Sequence, residues 1–288
     1  MQSVFSISFL QITILYSYLC PKFFVARKQT YRLRYTNKLI AAGETPVFQE
    51  RKERIAIDPA IQLPYSEGKV ILIDKPLHWT SFDVVRKMRS LLQIKKIGHA
   101  GTLDPLATGL LIVCTGKFTK RINEYMAQEK EYTGHFTLGA ITPTYDLESE
   151  PVLQKDYSRL SAEEIQAATS QFIGEIEQLP PMYSAIKKDG VAMYELARKG
   201  EEIKLEPRKV TIYQFSIPVI ALPVVGFKVV CSTGTYIRSL ANDFGGALGC
   251  GAYLSSLKRT RIGEFKTVDA MTMEQFEESL LPANNNDR

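Results

Sequence analysis

Between residues 68 and 276 the chain is punctuated by short apolar runs and by longer stretches whose apolar positions recur at helical spacing. Val70-Ile71-Leu72-Ile73 is a continuous apolar run stopped by Lys75-Pro76, the pattern of a buried strand. Behind it, Thr80 or Ser81 can cap a helix whose apolar positions are Phe82, Val85, Met88 and Leu92. Leu110 to Cys114 predicts a second buried strand, and Thr119 to Met126 a helix. From Tyr132 to Leu138 the period is two, with Tyr132, Gly134, Phe136 and Leu138 on one face and Thr133, His135 and Thr137 on the other. Ser161 and Glu164 form a capping box that opens a helix carrying Ile165, Ala168 and Phe172, and Met193 to Lys199 predicts another, stopped by Gly200. Val210 to Ile217 and Phe227 to Cys231 read as strands. Thr235 is placed to cap a helix with Ile237, Leu240, Phe244 and Leu248 on one face and Gly249 just past its end. Thr272 and Gln275 supply the box of a final short helix. Strands and helices do not alternate as regular βαβ units, so the expected class is α+β: a mixed, mostly antiparallel sheet flanked by helices.

Both ends depart from this pattern. Val4 to Tyr18 is apolar, yet it has no basic segment before it and no small-residue cleavage site, and at about fifteen residues it is shorter than a membrane span. Residues 29 to 67 are polar and without a sustained period. Residues 1–67 therefore read as an N-terminal extension, either disordered or the product of a mis-assigned start. Residues 68–265 read as the globular domain, and 266–288 as a short helix and a disordered tail.

Composition narrows the partners. A net charge of +5, from 36 basic and 31 acidic residues, is too small an excess to identify a polyanion by itself. Its placement says more: Arg86, Lys87, Arg89, Lys95 and Lys96 precede one glycine-rich segment, Lys117, Lys120 and Arg121 follow it, and Lys258, Arg259 and Arg261 cluster late. Such clusters serve either as solvated faces or as phosphate contacts. Four cysteines without a C-x-x-C pair and three histidines without zinc spacing predict no disulfide, no metal and a reducing, cytoplasmic setting. No sizeable exposed apolar face is evident, so a monomer that does not engage membranes is expected.

The glycine-rich segment carries the chemistry. Lys95 to Gly109 packs three glycines, a proline, two threonines, His99 and Asp104 into fifteen residues. Glycine and proline at this density specify tight local geometry, which can hold one carboxylate in a fixed, partly buried position.

Gly98-His99-Ala100-Gly101-Thr102-Leu103-Asp104-Pro105-Leu106-Ala107-Thr108-Gly109 resembles the signature loop of the TruB family of tRNA pseudouridine synthases. Three further blocks agree in order and spacing: Ile73-Asp74-Lys75-Pro76 with Thr80 to Val85, Gln178 to Lys187 running on to Arg198, and Cys231 to Leu240. The resemblance covers roughly residues 68 to 265. It departs at His78, where the family commonly has glycine, and at the C-terminus, where about twenty residues follow Phe265, too few for the PUA domain that many members carry.

The resemblance implies the pseudouridine synthase fold and the isomerisation of a tRNA T-loop uridine, position 55, to pseudouridine. That reaction needs no redox change, so no cofactor is expected. By resemblance Asp104 is the catalytic carboxylate, Arg238 its ion-pair partner, and Tyr132 the ring that stacks on the target base and assists removal of its C5 proton. His99 corresponds to the residue that fills the space left by the flipped nucleotide, while Lys120, Tyr183, Lys187 and Lys75 correspond to positions near the RNA cleft. Whether the carboxylate attacks the sugar or the base stays open. Glu131 and Asp146 are candidate second acids, but each reads as a solvated loop or strand-edge residue. The rival readings are a non-catalytic RNA-binding module and a synthase for a different RNA.

Overall fold

The computed structural model describes residues 31–34, 51–54, 57–182, 187–188, 191–192 and 205–281. It divides into two units, residues 1–56 and residues 57–288. In the first, strands β1 (Tyr31–Arg34) and β2 (Arg51–Arg54) pair antiparallel. The expected helix at Met193 to Lys199 and the tail from Pro282 lie outside the described residues.

The second unit begins earlier than the sequence boundary at residue 68. Helix Pro59–Glu67, opened by Asp58 accepting from the Ala60 amide, is tied to it: Gln62 donates to the Leu92 carbonyl, and the Tyr65 ring meets Phe276 edge-on. The chain then forms β3 (Val70–Lys75), helix Ser81–Leu92, β4 (Ile97–His99) and β5 (Ala107–Thr115). A 3-10 turn at Gly116–Arg121 leads into helix Ile122–Ala127, so the helix expected from Thr119 is split. Next come β6 (Lys130–Leu138), the short pair β7 (Ala140–Ile141) and β8 (Leu153–Gln154), helix Ala162–Ala167 and β9 (Gly174–Gln178). A two-residue pair, β10 (Lys187–Lys188) and β11 (Val191–Ala192), precedes the long hairpin of β12 (Arg208–Ala221) and β13 (Val224–Cys231). Helix Ile237–Ala247, β14 (Ala252–Ile262), β15 (Phe265–Lys266) and helix Met273–Glu278 complete it.

The main sheet runs β3-β5-β14-β6-β13-β12-β9, with β4 on β5 and β15 on β14. Its ladders are antiparallel except β5 against β14. The mixed, mostly antiparallel α+β architecture is thus as expected. Two cores flank it. Phe136, Phe215, Phe227 and Phe244 cluster beneath helix Ile237–Ala247, with Phe136 stacked on Phe227 at 4.2 Å between ring centroids. Ile73, Met88, Leu92, Leu111 and Phe276 pack helices Ser81–Leu92 and Met273–Glu278 against β3 and β5. Each fully buried phenylalanine contributes ~1.5–3 kcal/mol through removal of apolar area from water. Among the described residues no helix is long and apolar enough to cross a membrane.

Local signals acted largely as their chemistry requires. Thr80, Ser161 and Thr272 all close reciprocal capping boxes, with Asp83, Glu164 and Gln275. Thr235 does not cap: its hydroxyl donates to the Ser232 carbonyl, and Tyr236 occupies the cap position. The buried face of helix Ser81–Leu92 is Ser81, Val84, Val85, Met88 and Leu92, whereas Phe82 is exposed.

Candidate active site

The glycine-rich loop between β4 and β5 is fastened at every step around Asp104. Ser81, buried at the start of its helix, accepts from the Leu103 amide at 2.8 Å and donates back to the Leu103 carbonyl at 3.3 Å. Arg259 donates to the carbonyls of Gly101 at 3.1 Å and Thr102 at 3.4 Å. The Pro105 carbonyl accepts from the His78 amide at 2.8 Å and from Lys75 at 3.5 Å, and Ala107 closes a turn onto the Asp104 carbonyl. Satisfying these carbonyls locks the backbone, so the carboxylate position is set before any substrate arrives.

Arg238 meets that carboxylate from the first turn of helix Ile237–Ala247. Its Nε lies 3.0 Å from Asp104 Oδ2 and 3.6 Å from Asp146 Oδ2. A cation is misplaced at a helix N-terminus on dipole grounds, and two carboxylates supply what the dipole opposes. The helix start is itself held from β9: Gln178, fully buried, accepts from the Tyr236 amide at 2.7 Å and donates to the Tyr236 carbonyl at 3.0 Å. Asp104 stands 38% exposed while Arg238 is 4% exposed, so the acid faces the cavity and its partner backs it. Burial raises the Asp104 pKa; Arg238 opposes that rise, Asp146 adds to it, and the balance stays upward.

Asp146 is the residue that sequence reading placed wrongly. It is 4% exposed, not solvated. The run Thr142-Pro143-Thr144-Tyr145-Asp146 folds back on itself, with both threonine hydroxyls donating to the Asp146 carbonyl, while Asp146 Oδ1 accepts from the Glu148 amide at 3.0 Å. Tyr145 adopts a positive φ of 62° and its carbonyl accepts from Leu254 of β14. Turn-forming residues ahead of an acid were a usable signal, the same one that marked Asp104. Glu131 is partly buried, pairing with Lys228 at 3.1 Å and accepting from Thr260 at 2.8 Å, and does not line the cavity.

A cavity of about 270 Å³ opens in front of Asp104, near the lower end of small-molecule sites at ~300 Å³. Tyr132, Arg238, Lys130, Arg208 and Arg259 line it with the acid. Tyr132 on β6 is directly opposite Arg259 on β14, and Arg259 is opposite Gly109 on β5. Gly109 has a φ of 101°, and a Cβ there would come within 2.3 Å of the Arg259 carbonyl oxygen, so only glycine permits this approach. Register irregularities in β14 at Leu254/Ser256 and Arg259/Arg261 bracket Arg259, where bulges serve to re-aim side chains. Tyr132 is 8% exposed; burial raises its phenol and the Arg259 guanidinium, bonded to it, opposes that.

The remaining expected residues separate. Lys75 is wholly buried and donates to the carbonyls of Pro76 at 3.0 Å, Trp79 at 2.5 Å and Pro105, so it braces the loop instead of reaching for RNA. Arg259, read from its basic cluster as part of either a solvated face or a phosphate contact, is likewise buried. His99 ends β4; burial, then the charge of Arg259, lowers its pKa and keeps the imidazole neutral. Lys120 is exposed on the 3-10 turn after β5 and does not line the cavity. Tyr183 and the Lys187 side chain lie outside the described residues. Among the described residues no group of three His, Cys, Asp or Glu is placed to hold a metal ion.

A family model described as TruB family pseudouridylate synthase (N terminal domain) matches residues 89–237, and one described as tRNA pseudouridylate synthase B C-terminal domain matches residues 238–288. A protein of Flavobacterium johnsoniae named tRNA pseudouridine synthase B is 56% identical over 223 residues, covering 75% of this chain and 97% of its own length. Its namesake in Phocaeicola vulgatus is 48% identical over 222 residues, covering 75% and 94%. Among solved structures, the fold matches a Cbf5-Nop10-Gar1 complex at TM-score 0.60 and 31% identity, covering 76% of this chain and 56% of that one. It also matches an H/ACA RNP bound to a substrate RNA containing 2'-deoxyuridine at TM-score 0.57 and 29% identity, covering 76% and 55%. The aligned part is thus little more than half of those two longer chains. The loop that presents Asp104, the helix that presents Arg238 and the extent of these matches agree: the chain belongs to the TruB family of pseudouridylate synthases.

Proposed function

We propose that this protein isomerises the T-loop uridine at tRNA position 55 to pseudouridine, with residues 57–281 containing the catalytic machinery. The carrying observation is the Asp104–Arg238 pair at the mouth of a nucleoside-sized cavity. Asp104 supplies the carboxylate that the C1′–N1 cleavage requires, as a nucleophile toward sugar or base. Arg238, backed by Asp146, orients it and favours its ionised form. Tyr132 offers a ring face to the everted base, which offsets the stacking lost when uridine leaves its loop, and a phenol to assist removal of the C5 proton.

The basic residues lining the cavity and the exposed Lys120 suit recognition of T-arm shape and phosphates over extended base readout. His99 occupies the vacated nucleotide position in this reading, and Tyr183 and Lys187 border the RNA. The protein acts as a cytoplasmic monomer without cofactor. Incubating it with a tRNA transcript and mapping pseudouridine tests the reading: one modified residue in the T loop is expected, whereas modification elsewhere, or none, overturns it.

A further inference from the structure

Two buried cations line the cavity without a carboxylate partner among the described residues. Arg259, 1% exposed, donates to the carbonyls of Leu110 at 2.8 Å, Gly101 and Thr102. Lys130, 4% exposed, donates to the carbonyls of Met126 and Gln128. All five acceptors are neutral. The other two cations of the wall are engaged: Arg238 faces Asp104, and Arg208 lies 4.3 Å over the Tyr236 ring and donates to Gly234. Asp104 is the one carboxylate among the described residues that line the cavity. An unpaired ion held away from water is costly, and the arrangement becomes favourable once negative charge enters. The Lys130 ammonium illustrates the cost: burial and the neighbouring Arg259 hold its pKa down to about 8, with Cys231 pulling the other way.

We propose that Lys130 and Arg259 form a cationic wall that stabilises the negative charge developing on the uracil ring during isomerisation. The inference rests on the Asp104 reading above, and the charge arises by either route open to that carboxylate. When the C1′–N1 bond breaks, its electron pair stays with the base as an N1 anion shared with O2 and O4, while C1′ bonds to a carboxylate oxygen. If the carboxylate instead adds to C6, the C5=C6 pair moves onto C5 and O4 as an enolate. In both routes the C1′–N1 bond breaks, C5 bonds to C1′ and the bond to the carboxylate breaks. The C5 proton passes to a base and N1 takes up a proton, which leaves a neutral ring and a free carboxylate. Fixed cations at the cavity wall need no reorganisation as the charge appears, which is where electrostatic stabilisation is most effective. A backbone phosphate is the other anion these groups could hold, and it would act on affinity and not on turnover.

The test compares single-turnover pseudouridine formation and tRNA binding in Lys130→Met, Arg259→Met, Lys130→Arg and Arg259→Lys. We expect the two Met variants to slow the reaction about 100-fold or more, with Kd for tRNA within about threefold of native and an unchanged salt slope. The charge-keeping variants should stay within about tenfold of native. Two results overturn the inference: weaker binding with a shallower salt slope at native turnover, which would assign the pair to a phosphate, or charge-keeping variants as slow as the Met variants, which would leave only carbonyl bracing. Should the Met variants fail to fold, Lys130→Arg and Arg259→Lys decide alone, since a loss as deep as that of Asp104→Asn contradicts a role carried by charge. Full modification by Asp104→Asn would instead sink the mechanistic reading beneath.

Discussion

Asp104 and Asp146 face one edge of the same guanidinium: Arg238 Nε is 3.0 Å from Oδ2 of the first and 3.6 Å from Oδ2 of the second. The first carboxylate is partly open to the cavity and the second is enclosed, so the proposed reaction falls to the first and its support to the second. Asp146→Asn keeps the shape and removes the supporting charge. Arg238 is then free to reorient, and since displacements near 1 Å cost about 10²-fold, kcat should fall about 10–100-fold with tRNA affinity unchanged. Steady-state kinetics beside a binding titration check this; native kcat would remove Asp146 from the account.

The pH dependence follows from the same pair. Burial raises the Asp104 pKa and Arg238 is the chief influence lowering it. The protonated acid is not nucleophilic, so activity should climb as pH rises through the folded pKa and fall below it. Arg238→Lys shortens the reach to the carboxylate, weakens that lowering, and should shift the acid limb of kcat upward. An unmoved acid limb would mean that Arg238 does not govern the ionisation of Asp104.

Lys75 provides a stability signature. Burial brings its pKa from 10.5 to about 8, so the unfolded chain holds a proton that the folded chain releases. Its contribution is therefore fully present above pH 10.5 and is lost as pH falls through about 8. Lys75→Met deletes this term, so the stability of native protein relative to the variant should grow from about pH 8 to 10. Urea unfolding across that interval measures it, and a constant difference would contradict the burial of a charged Lys75.

His78 stands where the family commonly carries glycine, and its φ of 65° explains that preference. An L-residue in this region is strained by ~1–2 kcal/mol, part of which glycine returns through its freer unfolded chain. His78→Gly should thus gain up to about 1 kcal/mol, because the contact to Pro105 uses the backbone amide alone. A lowered melting temperature would show that the imidazole itself stabilises the turn.

How far the sequence could be read depended on whether a residue's role was local. The capping boxes at Thr80, Ser161 and Thr272 are satisfied within four residues; those at Ser161 and Thr272 formed where their spacing placed them, and Thr80 took the cap that the sequence left open between it and Ser81. The helix after Thr80 slipped in phase because Ser81 is drawn inward to hold Leu103, leaving Phe82 outside. Thr235 lost the cap at the next helix to Gln178, a residue far away in sequence. Long-range contacts likewise buried Lys75 and Arg259, which by residue type belong at a surface. Asp146 was the costliest misreading, since an acid in a polar turn looks solvated until the arginine it meets is known. The pairing of Asp104 with Arg238 was legible because the motifs around both residues are long.

The most direct measurement is the rate at which Asp104→Asn forms pseudouridine in a tRNA that it still binds. Asn keeps the size of the side chain and removes its charge, so native affinity with no detectable pseudouridine is the predicted result. Pseudouridine formed at a rate near native would contradict it, because no carboxylate at residue 104 would then be needed to break the glycosidic bond.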